Sequence, residues 1–339
     1  MNTRKVSIKD IAKICGVSVS TVSRVINNNG RFSEETRQRV VKAIKKYNYK
    51  TNTAAKTLRM QKSNAIGILV PDLANSFFSN LVENLEKNFF IKGYSTMICD
   101  TGRDKDRELT YLKMLEAKVV DGLIVISGSR KYNPDIIDPK IPVICIDRSS
   151  DSPNVTYIGS NHEQGARMAT AKLIEAGTTP ILLCSSNQKI SSTKDRIRGY
   201  QIEMKSQHLS DNDCKIVAIK SHKSNIDQRG IEIRSILRNM LNEQNLPIGI
   251  FAISDTIAAE VTVAAHELEL NIPRDLKVIG FDDAPIAKYC YPQLTTIRQN
   301  TQEIVDKTST LLLQMIQGDN SIRQNREIID VDLIERGTV

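Results

Sequence analysis

The stretch that decides the fold of the first sixth of the chain reads Ser7-Ile-Lys-Asp-Ile-Ala-Lys-Ile-Cys-Gly-Val-Ser-Val-Ser-Thr-Val-Ser-Arg-Val-Ile-Asn27. Four apolar residues in it follow the spacing that lines one face of a helix: Ile8, Ile11, Ala12 and Cys15. We expect Gly16 to end this helix and Ser18 to cap a second one. Two short helices joined by a glycine turn form a helix-turn-helix, and its second helix has the right size to enter a DNA major groove.

The second helix is predicted to have an apolar and a polar face. The inward face carries Val22, Val25 and Ile26, and the outward face carries Val19, Ser20, Ser23 and Arg24. A third helix should begin after Ser33, a good N-cap that two glutamates follow. The apolar residues of this third helix are predicted to pack on the first two helices: Val40, Ala43, Ile44 and Tyr47.

The basic charge of the protein is confined to this first segment. The chain has 339 residues and a formal net charge of +8. Residues 1–62 hold 15 Lys and Arg against 3 Asp and Glu, a balance of +12, and the remainder holds 32 against 36, a balance of −4. A small basic module on a slightly acidic body indicates contacts with nucleic-acid phosphates, because neutralising phosphates releases their counterions. A merely solubilising tail would lack the apolar periodicity seen here.

The cysteines and the apolar runs indicate the compartment. The six cysteines are scattered without a Cys-x-x-Cys pair: Cys15, Cys99, Cys145, Cys184, Cys214 and Cys290. Most lie in apolar runs, so we interpret them as small core residues in a reducing compartment rather than as disulfides or metal ligands. No apolar run resembles a signal peptide or reaches the ~18 residues of a membrane helix. We therefore expect a cytoplasmic protein without membrane contact, metal or cofactor.

From residue 65 onward, short apolar runs alternate with amphipathic segments. Candidate strands are Ile66–Val70, Thr96–Cys99, Leu123–Ile126, Val143–Ile146, Ile181–Cys184, Ile216–Ile219, Ile250–Ile253 and Lys277–Ile279. Candidate helices are Phe78–Ile91, Glu108–Lys118, Glu163–Ala176, Asp195–Gln207, Asp227–Asn242, Thr256–Leu270 and Glu303–Gln317. This alternation predicts parallel sheets covered by helices on both faces, and the number of units predicts two lobes. Ligands of such sheets bind beyond the carboxyl ends of the strands.

The chain resembles the lactose/galactose repressor family of bacterial transcription regulators over almost its whole length. The motifs that carry the resemblance occur in order: Ile8-Lys-Asp-Ile-Ala12, Gly16-Val-Ser-Val-Ser-Thr-Val-Ser-Arg-Val-Ile-Asn27, Ser33-Glu-Glu-Thr-Arg37, Ile66-Gly-Ile-Leu-Val-Pro-Asp72, Phe77-Phe78, Tyr111-Leu112, Val120-Asp-Gly-Leu-Ile124, Ile146-Asp-Arg148, Gly280-Phe-Asp-Asp283 and Leu294-Thr-Thr-Ile-Arg-Gln299. Each motif is weak alone, but their order and spacing together are highly specific.

The resemblance implies an all-α three-helix DNA-binding headpiece followed by an α/β core of two lobes with parallel sheets, similar to periplasmic sugar-binding proteins. It assigns residues 1–50 to the headpiece, 51–64 to a hinge helix or linker, and 65–339 to an effector-binding and dimerisation core. The first lobe is expected at about 65–159 and 291–324, and the second at about 160–290 and 325–339. It also implies a homodimer or tetramer that reads a pseudo-palindromic double-stranded operator.

The family's base-reading positions correspond to Val19, Ser20 and Arg24 in the second helix. Arginine can bond guanine O6 and N7, serine can bond several bases, and valine can touch a thymine methyl group. The alternative interpretation is an ordinary solvated helix face. Contacts with the DNA backbone, which position the protein without reading sequence, are predicted for Ser18, Thr21, Asn27 and Asn29.

The linker carries the second predicted DNA contact. Its composition is polar and basic, but Asn52 or Thr53 could cap a short helix that forms only against DNA or a partner chain. Leu58 corresponds to a leucine that the family inserts into the minor groove, and Ala54 and Ala55 allow the close approach that this needs. The alternative is ordinary hinge or interface packing. Thr51 departs from a frequent proline of the family, so the hinge is expected to be looser.

The resemblance places eight residues around an effector cleft: Phe77, Phe78, Asp147, Ser192, Arg196, Ser254, Asp255 and Asp282. This set suits a sugar, because aromatic faces stack on C–H surfaces while Asp and Arg bond paired hydroxyls. Arg196 and Asp282 are the strongest candidates. One of the two phenylalanines is expected to belong to the core, since adjacent helical residues do not face the same way. Asp255 and its counterpart Asp283 could equally be helix caps.

Two departures from the family bear on the identity of the effector. Ser224 stands where many relatives have an aromatic residue over the ligand, so stacking is in question there. Ile190 stands where purine-sensing relatives have a polar contact, which argues against a purine. Local resemblance instead favours repressors of ribose or sucrose uptake, in Ser192-Thr-Lys-Asp-Arg196, Met114-Leu-Glu-Ala117 and Tyr291-Pro-Gln-Leu-Thr-Thr-Ile-Arg-Gln299.

The predicted function is repression of a carbohydrate uptake or catabolism operon, relieved by a small sugar or sugar phosphate. The alternatives are an effector that acts as corepressor, and a sugar receptor without gene control. A carbohydrate-modifying enzyme is disfavoured, because G-x-S-x-G and phosphate-binding glycine motifs are absent and the histidines share no metal-ligand spacing: His162, His208, His222 and His266. The local cluster of His208, Asp211, Asp213, Cys214 and His222 is interpreted as a polar loop.

Overall fold

The computed structural model of the protein describes residues 6–49, 62–128, 131–150, 152, 155–187, 190–208, 214–221, 225–243, 246–319 and 326–339. The chain divides into two compact units, Met1–Lys62 and Ser63–Val339. The predicted hinge contacts lie outside the described residues: Thr51, Asn52, Thr53, Ala54, Ala55 and Leu58. So do four residues of the second unit that the sequence singled out: Asp211, Asp213, His222 and Ser224.

Three helices form the described part of the first unit, namely α1 (Ile8–Cys15), α2 (Val19–Ile26) and α3 (Glu34–Lys46). The hydroxyls of Ser7, Ser18 and Ser33 cap their N-termini. Gly16 ends α1 in the left-handed conformation, with φ +64°, which a residue without Cβ adopts readily. The buried core consists of Ile11, Ala12, Cys15, Val22, Val25, Val40 and Ala43. The predicted helix-turn-helix and its inward face are therefore confirmed.

The end of α3 corrects one prediction. Tyr47 does not pack on the first two helices but is 39% exposed, with the Lys46 ammonium 5.5 Å from its ring centroid. The reason is that α3 ends at Lys46 and Asn48 turns the chain in a left-handed conformation, with φ +46°. Tyr49, beyond that turn, packs against the core instead.

The second unit alternates strands and helices. Its strands are β1 (Ala65–Val70), β2 (Ser95–Asp100), β3 (Gly122–Ile126), β4 (Val143–Ile146), β5 (Thr156–Ser160), β6 (Ile181–Ser186), β7 (Cys214–Ile219), β8 (Ile248–Ala252), β9 (Leu276–Asp282), β10 (Thr295–Gln299), β11 (Arg326–Ile329) and β12 (Val331–Ile334). Its helices are α4 (Ser76–Ile91), α5 (Lys105–Ala117), α6 (His162–Glu175), α7 (Ser191–Ser206), α8 (Ile226–Glu243), α9 (Asp255–Glu267), α10 (Pro285–Tyr289) and α11 (Thr301–Ile316).

Two six-stranded sheets define the two lobes. The first sheet has the order β11-β5-β4-β3-β1-β2 and is parallel throughout. The second has the order β12-β10-β9-β8-β6-β7, and only β12 runs antiparallel to its neighbour. In β1, Ile66, Ile68 and Val70 join one apolar cluster while Ala65 and Leu69 join another. Both faces are therefore buried, as the continuous apolar run predicts.

The chain passes between the lobes three times. It leaves the first sheet after β5, returns after β10, and leaves again between β11 and β12. The predicted lobe boundaries were therefore wrong at two places: β10 belongs to the second lobe and β11 to the first. Both strands are short and partly polar, and each has only one or two large apolar residues, so their sheet could not be assigned from apolar runs.

The start of the second unit also differs from the prediction, by two residues. The backbone amides of Ser63 and Asn64, assigned above to the linker, each donate to the Asp121 carboxylate at 2.8 Å. These bonds attach both residues to the segment that leads into β3, so the unit begins at Ser63.

The cysteines are all buried or partly buried. Cys15, Cys99, Cys145 and Cys184 are buried, and Cys214 and Cys290 are partly buried. Burial raises the pKa of the Cys145 and Cys184 thiols to about 12.

Within the described residues, no helix is both long enough and apolar enough to cross a membrane.

Candidate functional site

The exposed face of α2 is the candidate DNA-reading surface. Val19 is 37% exposed, and Ser20 and Arg24 are exposed as well, whereas Val22 and Val25 are buried against the other helices. The three predicted base readers thus share the outer face of one capped helix. This arrangement fits the docking of a recognition helix, whose N-terminal residues contact base edges.

The predicted backbone contacts surround this face. The Ser18 hydroxyl accepts from the Thr21 amide at 3.1 Å and lies 2.7 Å from the Ser20 hydroxyl. Asn27 ends α2, and its side-chain amide donates to the Ser23 carbonyl at 2.7 Å. Asn29 is exposed in the loop that follows.

A glycine leaves space for Arg24 at the end of this face. Gly30 has a left-handed φ of +83°, and a Cβ there would lie 3.1 Å from Cδ of Arg24. The Arg24 side chain can therefore lie against the loop after α2, because Gly30 has no side chain.

A cavity of about 360 Å³ in the second unit is the candidate effector site. Residues of both lobes line it, as in many small-molecule sites between two lobes. Seven of the eight predicted effector residues are among them: Phe77, Phe78, Asp147, Ser192, Arg196, Ser254 and Asp282. Ile190, the apolar residue that argues against a purine, also lines it.

Asp255 is the predicted residue that does not line the cavity. Its side chain is fully buried, and its carboxylate accepts from the Ala284 amide at 2.7 Å and from the Thr296 hydroxyl at 2.5 Å. It thus joins α9 to β10 and to the segment after β9. Ser254 is the residue that caps α9, so Asp255 is not the cap of that helix. Asp283 is no cap either, since its carboxylate pairs with the Arg336 guanidinium at 2.5 Å.

Both phenylalanines line the cavity, and both also belong to the buried apolar cluster of the first lobe, so the expected core role holds for each of them. Phe77 and Phe78 are 7% and 8% exposed, and their rings meet edge to face at 5.5 Å. They lie in the first turn of α4, whose N-terminus borders the cavity through Asn75 and Ala74. At a helix end, successive side chains can border the same space beyond that end.

A closed ring of hydrogen bonds connects the two lobes beside the cavity. Asp147 Oδ1 lies 2.9 Å from His162 Nε2, and His162 Nδ1 lies 3.3 Å from Arg196 Nη2. Arg196 Nη2 also contacts Asp282 Oδ1 at 3.4 Å.

The ring closes through the ends of two strands. Gln299, at the end of β10, donates from Nε2 to Asp282 Oδ1 at 2.6 Å and accepts from the Ser160 hydroxyl at 2.6 Å. Ser160, at the end of β5, donates its amide to Asp147 Oδ1 at 3.1 Å. Two of the three chain crossings therefore take part in the ring.

The ring determines the tautomer of His162. Both nearby Arg196 nitrogens are donors, so His162 Nδ1 must accept. Its Nε2 then carries the proton and donates to Asp147, which is the tautomer assigned from the network. Arg196 is also stacked on the Phe281 ring, 3.6 Å from its centroid, and donates to the Ile253 carbonyl.

Burial dominates the electrostatics of this ring. Desolvation raises the pKa of Asp282, and the charge of Arg196 opposes that rise. Desolvation likewise lowers the pKa of Arg196, against the attraction of Asp282 and Asp147. The two groups face each other, so the charge of each opposes the shift that burial causes in the pKa of the other.

Several cavity residues follow strand ends, and they could have been found from the sequence because ligands of parallel sheets bind beyond those ends. Asp72, Arg103, Ser127 and Ser186 come at or after the ends of β1, β2, β3 and β6. Four lining residues at such ends have positive φ, namely Arg103 at +62°, Ser127 at +36°, Asp147 at +51° and Asp282 at +113°. Backbone conformations of this kind concentrate at ligand sites.

One buried ion pair in the lining had no signal in the sequence. Arg229 on α8 pairs with Glu260 on α9, with 2.9 Å from Nε to Oε1 and 2.5 Å from Nη2 to Oε2. The two residues come from different helices, and neither follows a strand. In the part of the chain that the structure covers, no group of three or more His, Cys, Asp or Glu side chains is placed to hold a metal ion.

Two family descriptions match the chain. Residues 7–52 match the bacterial regulatory proteins of the lacI family, and residues 170–339 match the periplasmic binding protein-like domain. These matches cover the helix-turn-helix and most of the second lobe.

Curated and solved relatives match nearly the whole chain. The ribose operon repressor of Halalkalibacterium halodurans is 32% identical over 92% of this chain and 90% of its own. The sucrose operon repressor of Streptococcus mutans is 35% identical over 91% of this chain and 92% of its own. The crystal structure of the Lac repressor dimer bound to operator and the anti-inducer ONPF has a TM-score of 0.81 at 25% identity, over 99% of each chain.

Proposed function

Because this chain belongs to the lacI family of bacterial regulatory proteins, we propose that it represses a carbohydrate uptake or catabolism operon and that a small sugar in the cavity releases it from operator DNA. The chain is a DNA-binding transcriptional repressor that acts as a homodimer or tetramer on double-stranded operator DNA. The single observation that carries the proposal is the exposed face of α2, on which Val19, Ser20 and Arg24 stand together.

The cavity supports a sugar as the effector. Asp147 and Asp282 use Oδ1 in the ring, and in the described part of the chain their Oδ2 atoms make no hydrogen bond, so these are available to sugar hydroxyls. Phe77 and Phe78 offer ring surfaces for C–H groups. Repressors of a ribose operon and of a sucrose operon are similar to this chain, so a ribose-type or sucrose-type sugar is the first candidate.

The direction of the switch depends on which arrangement of the lobes the ligand prefers. A ligand that binds both conformations equally changes no DNA affinity, so an inducer must prefer the DNA-free arrangement of the lobes. A ligand that prefers the DNA-bound arrangement would be a corepressor. The ring of hydrogen bonds between the lobes can couple the ligand to this change, because closing or twisting the lobes must alter those hydrogen bonds.

The remaining properties follow from the same assignment. A repressor of this kind works in the cytoplasm, where its DNA is, and needs no cofactor. We expect no catalysis at the cavity: Asp282 and Arg196 hold a sugar without transforming it, and no metal is required.

Operator binding in the presence of sugars tests the proposal. Operator sequences are selected by the full-length protein from a random duplex library, and fluorescence anisotropy then measures affinity at fixed salt. We expect one sugar to lower the affinity at least about tenfold, and Asp282→Asn to abolish that response while DNA binding persists. Selection that yields no preferred sequence would refute repression, and turnover of the bound sugar would refute a non-catalytic site.

A further inference from the structure

Arg103 differs from the other two arginines of the effector cavity. Arg196 faces Asp282 and Arg229 faces Glu260, so each of these cations has a carboxylate. Arg103 also lines the cavity, but its Nε and Nη1 atoms are shut off from solvent and have no hydrogen-bond partner among the described residues. Buried donors without acceptors cost free energy, so native structures keep few of them and each calls for an explanation.

The backbone holds Arg103 in this position under strain. Arg103 follows β2 and has a left-handed φ of +62°, and its amide donates to the Thr101 hydroxyl at 3.3 Å. The Asp100 carboxylate accepts from the amides of Gly102 at 2.9 Å and Leu73 at 3.2 Å, which ties this loop to the one after β1. A left-handed non-glycine residue that is fixed on both sides indicates a side chain whose placement matters.

The surroundings of Arg103 suit an anion. Its guanidinium lies 5.7 Å from the Phe78 ring centroid, beside the first turn of α4. The N-terminus of a helix carries partial positive charge, which adds to that of the guanidinium. The charge of Asp100 offsets part of the burial cost, but desolvation still lowers the pKa of Arg103.

Most acids of the cavity are engaged away from Arg103. Asp147 and Asp282 belong to the ring between the lobes, and Glu260 pairs with Arg229. The third guanidinium nitrogen, Nη2, is not shut off in this way, so acceptor oxygens of a ligand in the cavity would reach Arg103 there. A turn of the side chain towards the cavity would also give Nε and Nη1 the partners that these donors need.

We propose that Arg103 binds a phosphate group of the effector, so that the natural ligand of this cavity is a phosphorylated sugar rather than a neutral one. The inference rests on the proposed function of the cavity as the effector site. Phosphate oxygens accept several hydrogen bonds at once, and guanidinium groups match them in geometry and charge. The sugar ring then lies towards Asp147 and Asp282, and the phosphate lies at the α4 end of the cavity.

Calorimetric titration of the full-length protein tests this inference. The ligands are ribose, ribose 5-phosphate, fructose, fructose 6-phosphate, gluconate and inorganic phosphate. We expect a phosphate ester to bind at least about ten times more tightly than its neutral sugar, and Arg103→Met to remove that advantage. Arg103→Lys should restore part of it, because it keeps the charge without the planar donors. Arg238→Met, at an exposed arginine of α8 outside the cavity, is the matched control and should change nothing.

The outcomes separate this inference from the proposed function. If a neutral sugar binds as tightly as its ester, or if Arg103→Met weakens both equally, phosphate recognition is refuted while sugar binding stands. Tight binding of gluconate that depends on Arg103 would refute phosphate in favour of a carboxylate. If none of these ligands binds, a ribose-type or fructose-type effector is refuted for the cavity, and this inference falls with it. Thermal unfolding confirms that each variant is folded.

Discussion

His162 Nε2 lies 2.9 Å from Asp147 Oδ1, and this hydrogen bond joins the first helix of the second lobe to a strand end of the first. Both side chains are buried, with 2% and 4% of the residue exposed. His162 also accepts from Arg196, so one imidazole connects an acid and a cation that both line the cavity. The histidine itself does not line the cavity, and its part is to position the groups that do.

The substitution His162→Ala should destabilise the second unit by about 1–3 kcal/mol, because it removes one hydrogen-bond partner each from the buried Asp147 and Arg196. His162→Gln should cost less, since its amide can still donate to Asp147 and accept from Arg196. Urea unfolding measures both changes. His266→Ala, at an exposed histidine of α9, is the control and should stay within about 0.5 kcal/mol of the parent protein. If His162→Ala and His266→Ala lowered the free energy of unfolding equally, the ring would not be a stabilising feature.

Two helical glycines should respond to alanine in opposite directions. A Cβ on Gly199 of α7 would clash with the Glu163 carbonyl oxygen and lie 2.9 Å from the Ala166 Cβ of α6, so these helices must move apart. A Cβ on Gly230 of α8 would meet only the tip of Arg234, at 3.3 Å, among the described residues. We expect Gly199→Ala to cost about 1–3 kcal/mol by overpacking. Gly230→Ala should be neutral or stabilising by up to about 1 kcal/mol, through helix propensity.

Thermal unfolding of the two alanine variants provides the measurement. Each variant serves as the control for the other, because the same atoms are added in a helix of the same unit. Melting temperatures that shift in the same direction by similar amounts would contradict overpacking at Gly199.

Asp255 should make stability depend on pH. Burial raises the pKa of its carboxyl well above its ordinary value, with the charge of Asp282 adding to the rise. The folded protein therefore holds this proton more tightly than the unfolded chain, so the free energy of unfolding falls as pH rises from about 4 towards the folded pKa. Asp255→Asn should remove this contribution. Its amide can donate to Thr296 and its oxygen can accept from Ala284, which preserves the two contacts.

Melting temperatures across the range from about pH 4 to about pH 8 measure that change. The variant should gain stability relative to the parent protein as pH increases, while the raised pKa of Asp282 leaves a dependence of the same sign in both. Asp306→Asn, at an exposed acid of α11, is the control. Parallel curves for the parent protein and Asp255→Asn would show that this carboxyl does not titrate as described.

The sequence predicts the strands and helices whose formation depends on apolar runs and on local N-caps. The predicted strands Ile66–Val70 and Ile250–Ile253 correspond to β1 and β8, which are buried on both faces, and Ser18 and Ser33 cap the helices expected of them. The strand β10 was missed because it buries Thr295, Thr296 and Gln299, polar residues that only long-range hydrogen bonds make acceptable in a core.

The candidate site was predictable where residues follow strand ends or match a family motif. Asp147 and Asp282 satisfy both conditions. Arg103 satisfies only the first, and the ion pair of Arg229 with Glu260 satisfies neither, since two helices bring it together. Asp255 does not line the cavity, and its position in the sequence does not reveal that Ala284 and Thr296 already occupy its carboxylate.

Contacts of the headpiece with DNA bases and with the DNA backbone should respond differently to substitution. Arg24 lies exposed on α2, where a guanidinium can bond guanine O6 and N7, so Arg24→Ala should cost about 1–3 kcal/mol at the base pair it reads. The loss should vanish for operators that already carry a substitution at that pair. Lys42→Ala, at an exposed cation of α3, should instead weaken all sequences alike and reduce the salt dependence by the equivalent of about one phosphate contact. Fluorescence anisotropy against a set of single-base operator variants, at two salt concentrations, distinguishes the two patterns. If Arg24→Ala lowers affinity uniformly across that set, Arg24 contacts the backbone, and sequence reading must be reassigned to Val19 and Ser20.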